Sequence, residues 1–234
     1  MRDSLRPLYV FLSQEKDILI PTYDAMRDKV VIFATDSEIQ MDFYALQDTQ
    51  ENHSISFAIP FLDEKKEMGR IFIFQNMKEK YFAHKVSSKT FYPILRPSFK
   101  GQWISEGEEI DFHGEKIRGL RPLSVFEGTK EDVLKRTSAR VYTIVDAKKD
   151  EFRHLLKELE AERKEKSKNF SGDKSGEIKQ LMGWLDDPTQ ALRAVNLLVK
   201  RGFLKWENEA YFNERNNSHQ RRIISHVPSM EYSH

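Results

Sequence analysis

The rhythm of apolar and polar positions changes near residue 129. Before it, short β-branched or aromatic runs recur between charged turns: Leu8–Leu12, Val30–Phe33, Ile55–Ile59, Ile71–Phe74 and Lys80–Val86. Runs of this kind predict strands. The segment Asp36–Phe43 alternates polar and apolar residues, which predicts a strand with one wet face. Asn76–Glu79, between two strong runs, predicts a hairpin turn, and Phe112-His113-Gly114-Glu115 predicts another. Many short antiparallel strands imply a small barrel or sandwich over residues 1–126.

Thr129-Lys130-Glu131-Asp132 has the spacing of a capping box with aspartate in its last place, so a short helix follows. Val141–Val145 reads as one more strand, and residues 127–146 form a connecting segment. From Ala147 the period is helical. Phe152, Leu155, Leu156 and Leu159 make one apolar stripe, and the charged run Glu158–Lys166 is a solvated face. Asn169–Gly176 breaks the pattern as a loop. Ile178, Leu181 and Met182 mark a second helix, and Leu185-Asp186-Asp187 is a polar turn. Pro188 suits the first turn of a third helix, with Leu192, Val195, Leu198 and Val199 as its stripe. Gly202 can end that helix in a left-handed conformation. Phe203–Trp206 and Ala210–Phe212 then predict two strands paired across Glu207-Asn208-Glu209. The expected class is α+β: a β-rich domain over 1–126, a helical domain over 147–227, and a tail at 228–234.

Composition narrows the function classes. Sixteen Phe, eight Tyr and three Trp are enough for a core, and 10 Gly with 8 Pro exclude collagen-like or low-complexity chains. No apolar run approaches the roughly 18 residues of a membrane span, so no membrane insertion is expected. Thirty-eight basic residues oppose 37 acidic ones, and residues 1–150 hold 23 against 24. Residues 188–226 differ, with seven basic and three acidic residues, a local net of +4. That patch can face an anion. The chain has no cysteine, which excludes disulfides, thiolate nucleophiles and cysteine-bound zinc or iron–sulfur clusters. Together with the lack of an export signal, this leads us to expect a cytoplasmic protein.

Seven histidines stand at 53, 84, 113, 154, 219, 226 and 234 without His-Glu-x-x-His spacing. His84 is expected to be exposed on its strand, and His154 to pack partly buried beside the helical stripe. Asp36, Glu38, Gln40 and Asp42 share one face of the alternating segment, as a solvent face does, and Glu106, Glu108, Glu109 and Asp111 read as a solvated loop. Phosphate-binding loops, dinucleotide fingerprints and nucleophile elbows are absent. We therefore assign no catalytic residue, metal ligand or cofactor.

The order of elements after Ala147 resembles a winged helix-turn-helix, with Ala191–Leu204 looking like the recognition helix and its exit into the wing. In that family the N-terminal exposed face of this helix enters the major groove. The resemblance makes Thr189, Gln190, Arg193 and Asn196 the candidates for base contact, and Lys200, Arg201 and Lys205 those for phosphate contact. Arg221 and Arg222 would extend the same patch. Winged helices also serve as protein-binding modules, and Asp186, Asp187, Glu207 and Glu209 would repel phosphate.

Arg136-Thr137-Ser138-Ala139-Arg140 before a strand is similar to the cyclic di-GMP arm of PilZ domains, where paired guanidinium groups clamp phosphates. The stretch Gly69–Phe74 followed by Lys80-Tyr81-Phe82 is similar to the small barrel that precedes PilZ in flagellar-brake-like proteins. A PilZ barrel needs further strands downstream, and this sequence lacks its Asp/Asn-x-Ser-x-x-Gly turn. The leading expectation is a non-enzymatic regulatory protein whose winged domain contacts double-stranded DNA or another nucleic acid while its β domain senses a ligand or partner. The alternatives are a protein-binding adaptor without nucleic-acid affinity and a cyclic di-GMP receptor using Arg136 and Arg140.

Overall fold

A computed structural model of the chain describes residues 7–24, 28–48, 55–63, 66–94, 101–166 and 177–215. The expected tail at 228–234 and the loop at 169–176 lie outside the described residues, as do Arg221 and Arg222. The structure is mixed α+β and divides into two compact units, residues 1–56 with 76–133 and residues 57–75 with 134–234. Residues 57–75, expected within the first domain, belong to the second unit.

In the first unit, β1 (Leu8–Leu12), β2 (Thr22–Asp24), β3 (Lys29–Thr35), β6 (Lys80–Val86), β7 (Tyr92–Pro93), β8 (Gln102–Ser105) and β11 (Ser124–Thr129) form one sheet. Its order is β11-β6-β1-β3-β8-β7, with β2 paired to β3. The path is open, so the expected barrel is not formed. Leu8 and Val10 of β1 alternate with less buried neighbours, and they pack with Ile32, Ala34, Val86, Phe91 and Leu120 in one core cluster. β9 (Glu108–Phe112) and β10 (Glu115–Gly119) make the expected hairpin. Its two turn residues have positive φ, His113 at 53° and Gly114 at 86°, which suits the right-handed twist of the paired strands.

Two local expectations fail in this unit. Asp36–Phe43 is not a strand: Glu38–Leu46 form helix α1. Eight residues of alternation can also be read on a helical wheel, and Tyr44-Ala45-Leu46 decide the matter. They break the alternation and bury Asp42, Ala45 and Leu46 on one helical side. Asn76–Glu79 is not a hairpin turn, because β5 (Met68–Phe74) and β6 lie in different sheets. The Lys78 amide donates instead to the Leu46 carbonyl (2.9 Å), and Met77 bridges to Gln47.

In the second unit the sheet order is β13-β12-β5-β4, with β4 at Ser56–Leu62, β12 at Arg140–Ile144 and β13 at Leu204–Trp206. β12 runs parallel to β5, with Arg140 opposite Ile71 and Tyr142 opposite Ile73. β13 is antiparallel to β12, with Tyr142 opposite Trp206. Helix α2 (Lys130–Arg136) precedes β12, and α3 (Lys149–Lys166), α4 (Glu177–Trp184) and α5 (Ala191–Lys200) lie between β12 and β13. The capping box forms as expected. The Asp132 amide donates to Thr129 Oγ1 (3.2 Å), and the Thr129 amide donates back to Asp132 Oδ2 (3.2 Å). Gly202, at φ 74°, closes α5. Its amide donates to the Val199 carbonyl and that of Phe203 to the Leu198 carbonyl, the pairing of a left-handed helix end.

The expected wing is absent. β13 pairs with β12 rather than with Ala210–Phe212, and residues 209–215 are helical. Asn208 explains the departure: the Val141 and Trp206 N–H groups donate to its side-chain oxygen, so the chain is pinned to β12 and cannot fold back on β13. Among the described residues no helix is long and apolar enough to cross a membrane.

Candidate functional site

Helix α5 buries Ala191, Ala194, Val195 and Leu198. Spacings of three and four residues then put Arg193, Asn196 and Lys200 in one exposed row opposite that face, with exposed Arg201 following. The Arg193 guanidinium lies 5.5 Å from the Trp184 ring centroid, which steadies it without neutralising it. Gln190 is half-buried at the start of the helix.

Two of the seven candidates, Thr189 and Lys205, are held by neighbouring acids. Asp187 Oδ1 accepts from the Thr189 hydroxyl (2.8 Å) and amide (2.9 Å). These bonds, the hydroxyl's first, hold the Asp187 carboxyl below its usual range, so an anion stands at the entry to α5. The Lys205 ammonium lies 3.2 Å from Glu207 Oε1. The exposed row is Arg193, Asn196 and Lys200, with Arg201, Asp186 and Asp187 also exposed beside it.

Arg136 and Arg140 have different surroundings. Arg136 is exposed at the end of α2, and its carbonyl accepts from Arg215 Nη1 (2.9 Å). Arg140 opens β12 half-buried, with its guanidinium carbon 4.9 Å from the Phe212 centroid, 5.1 Å from Trp206 and 5.4 Å from Phe61. Trp206 also stacks on Tyr142 at 5.6 Å. The described residues after β12 are helical apart from the short strand β13, where the PilZ resemblance requires the further strands of a barrel.

The histidine expectations are reversed. His84 is fully buried, because β6 is flanked by both β1 and β11 rather than standing at an edge. Its Nε2 accepts from the Lys16 amide (3.0 Å), which puts the ring proton on Nδ1. Burial pushes its pKa down, against smaller opposing effects of the Val10 and Phe82 backbone and Glu15. His154 is exposed and pairs with Glu158 (3.2 Å), one turn along α3. Of the acidic stretches, Glu106 pairs with Lys29 (3.3 Å) and Arg118 (3.7 Å), and Glu109 with Lys116 (2.7 Å). Asp36, Glu38, Gln40 and Asp42 share no strand face, since α1 takes up the last three. Among the described residues no group of three or more His, Asp or Glu side chains is placed to hold a metal.

Sequence reasoning missed two features. The first unit has an open groove of about 420 Å³ lined by Ile20, Pro21, Val30, Glu106, Ile117 and Arg118. Ile20 and Val30 keep 65% and 53% of their surface exposed, which is high for side chains of their size. The only local signal was Val30 in a strand of continuous apolar residues. The second feature is the ring cluster around Arg140, whose members come from four separate stretches of chain. Comparison with protein-family models, curated proteins and solved structures finds no match.

Proposed function

We propose that this chain is a non-enzymatic regulatory protein whose second unit, a winged-helix-like module lacking the wing hairpin, contacts nucleic acid through α5. The observation that carries the reading is the exposed row Arg193, Asn196 and Lys200, continued by Arg201, on a helix whose other side is buried. The basic groups would meet phosphates, and Asn196 is suited to an adenine edge. The cytoplasmic setting expected from the sequence is part of the same proposal. The groove beside Ile20 and Val30 supports a sensing or partner-binding role for the first unit. It also favours a second reading, a protein adaptor in which that groove is the working surface.

Fluorescence anisotropy of a labelled random duplex separates the two. Two phosphate-facing cations, Arg193 and Lys200, predict a slope of about −1.8 for log affinity against log salt. Arg193→Glu with Lys200→Glu removes both, so the salt dependence should all but vanish and low-salt affinity should collapse. Absence of salt-sensitive binding at low ionic strength, or binding that both substitutions leave intact, overturns the nucleic-acid reading and leaves the adaptor.

A further inference from the structure

We propose that the corner of the first unit's sheet formed by Tyr9, Lys85 and Phe126 binds an unpaired base of a single-stranded nucleic acid, at a site separate from the α5 row. Strand register builds it. Residues paired across a sheet share a face, as do residues two apart on one strand. Ser124, Lys85 and Tyr9 stand opposite one another across β11, β6 and β1, and Phe126, Ala83 and Phe11 make the next row. The small side chain of Ala83 leaves room above β6. Tyr9 and Phe126 reach each other across it, with ring centroids 6.5 Å apart in an edge-to-face arrangement. That contact steadies Phe126, while 52% of its surface stays exposed. β11 ends the sheet on this side, so no described strand of it lies beyond the ring.

Lys85 supplies the charge. It lies directly opposite Tyr9 and diagonally from Phe126, within reach of a long side chain. It is half-buried, and among the described residues no carboxylate or carbonyl engages its ammonium. No position on this face of β1, β6 or β11 is acidic. Glu127 belongs to the opposite face, where it pairs with Lys80 (2.7 Å). Helix α1 covers the adjoining part of the Tyr9 face: Thr35, opposite Tyr9 on β3, meets Gln40 (3.0 Å), and Asp42 is buried. What reaches solvent at the corner is rings, one cation and the Ser124 side chain, without an aliphatic patch. Every nucleobase has a π face and every nucleotide a phosphate, so an exposed ring beside an unpaired lysine suits a base and its phosphate. The bases of a duplex are stacked on one another and do not offer that face.

The test is fluorescence anisotropy of the full chain with a labelled oligothymidylate and, separately, an oligouridylate at low ionic strength. Saturable binding is expected. Phe126→Leu keeps an apolar side chain but loses the ring, and should weaken binding about tenfold. Lys85→Gln should make the slope of log affinity against log salt shallower by about 0.7. Arg193→Glu with Lys200→Glu should leave single-strand binding unchanged, so failure here and failure of the α5 reading are distinguishable. Tighter binding of one oligonucleotide identifies the strand as DNA or RNA, and equal binding leaves base and phosphate as the features recognised. The proposal is overturned if neither oligonucleotide binds saturably, or if Phe126→Leu binds as the wild type does. Loss of single-strand binding in the α5 variant also overturns it, because the strand would then sit on α5. So does a change in sedimentation of the Phe126→Leu chain with its oligonucleotide binding intact, which would make the ring a contact between copies. Should Lys85→Gln not fold, Phe126→Leu decides the question.

Discussion

Asn208→Ala should be among the most damaging single substitutions in the second unit. The side chain is fully buried and makes three hydrogen bonds to that unit's sheet and its approach. Its Oδ1 accepts from the Val141 amide (2.9 Å) and from Trp206 Nε1 (2.9 Å), and its Nδ2 donates to the Ala139 carbonyl (2.9 Å). Val141 and Ala139 are themselves buried, so water cannot replace the lost partner for either backbone group. Each of the two buried orphans costs about 1–3 kcal/mol, and the half-exposed indole about 1 kcal/mol, so the loss should be about 3–7 kcal/mol. That is a large part of an ordinary domain's total stability.

Urea unfolding followed by circular dichroism and tryptophan emission measures the loss. A change under about 1 kcal/mol would mean that the three bonds do not close this end of the sheet and would refute the argument. Asn208→Asp adds a sharper check. It keeps the acceptor but turns a carboxylate oxygen toward the Ala139 carbonyl. Only the protonated acid can donate there, so its folded pKa must lie above the unfolded value of about 3.9. The folded state then binds more protons, and this variant should gain stability as pH falls from 7 toward 5. Asn208→Ala should show no such gain.

The remaining predictions concern single contacts. The buried ring of His84 has its pKa pushed down, so the unfolded chain takes up the proton first. Stability should therefore be full above about pH 6.5 and fall below it, by at most about 1.4 kcal/mol per pH unit, and His84→Gln should flatten that slope in urea titrations at pH 7.5 and 5.5. A Cβ on Gly69 would meet the buried Phe61 ring at 2.3 Å, so Gly69→Ala should cost about 1–3 kcal/mol, with partial rescue by Phe61→Leu in a double-mutant cycle. Thr129→Ala removes one half of the capping box and should lower the thermal midpoint by an amount corresponding to about 1 kcal/mol.

What could be read from the sequence was what a few neighbouring residues decide by themselves. The capping box needs only Thr129 and Asp132, the β9–β10 turn only His113 and Gly114, and the end of α5 only Gly202. Their chemistry is the same in any fold. Apart from α1, which the adjacent Tyr44-Ala45-Leu46 decide, the failures have a common cause in partners distant along the chain. Ile71–Phe74 and Lys80–Val86 look like the arms of one hairpin until each finds a better neighbour, β12 for the first and β1 with β11 for the second. His84 was misread because its exposure depends on both flanking strands. The α5 row was legible because helical spacing alone sets it. The occupation of Lys205 by Glu207 was not, since it depends on the conformation that Asn208 imposes.

The same distinction bears on where function resides. Around Arg140, Phe61 is delivered by β4, Trp206 by β13 and Phe212 by the helix that Asn208 begins. Gly69 on β5 leaves room for the Phe61 ring. A segment cut at 147–227, as the helical pattern alone would divide the chain, would keep α5 but lose β12, β5 and β4 together. β13 would then have no strand beside it, and the Trp206 ring would lose Tyr142. The α5 row therefore depends on strands supplied from residues 57–75 and 140–144, far from it along the chain. The second unit must be tested for binding in the full chain, because its sheet is completed only by a segment that the sequence places before most of the first unit's strands.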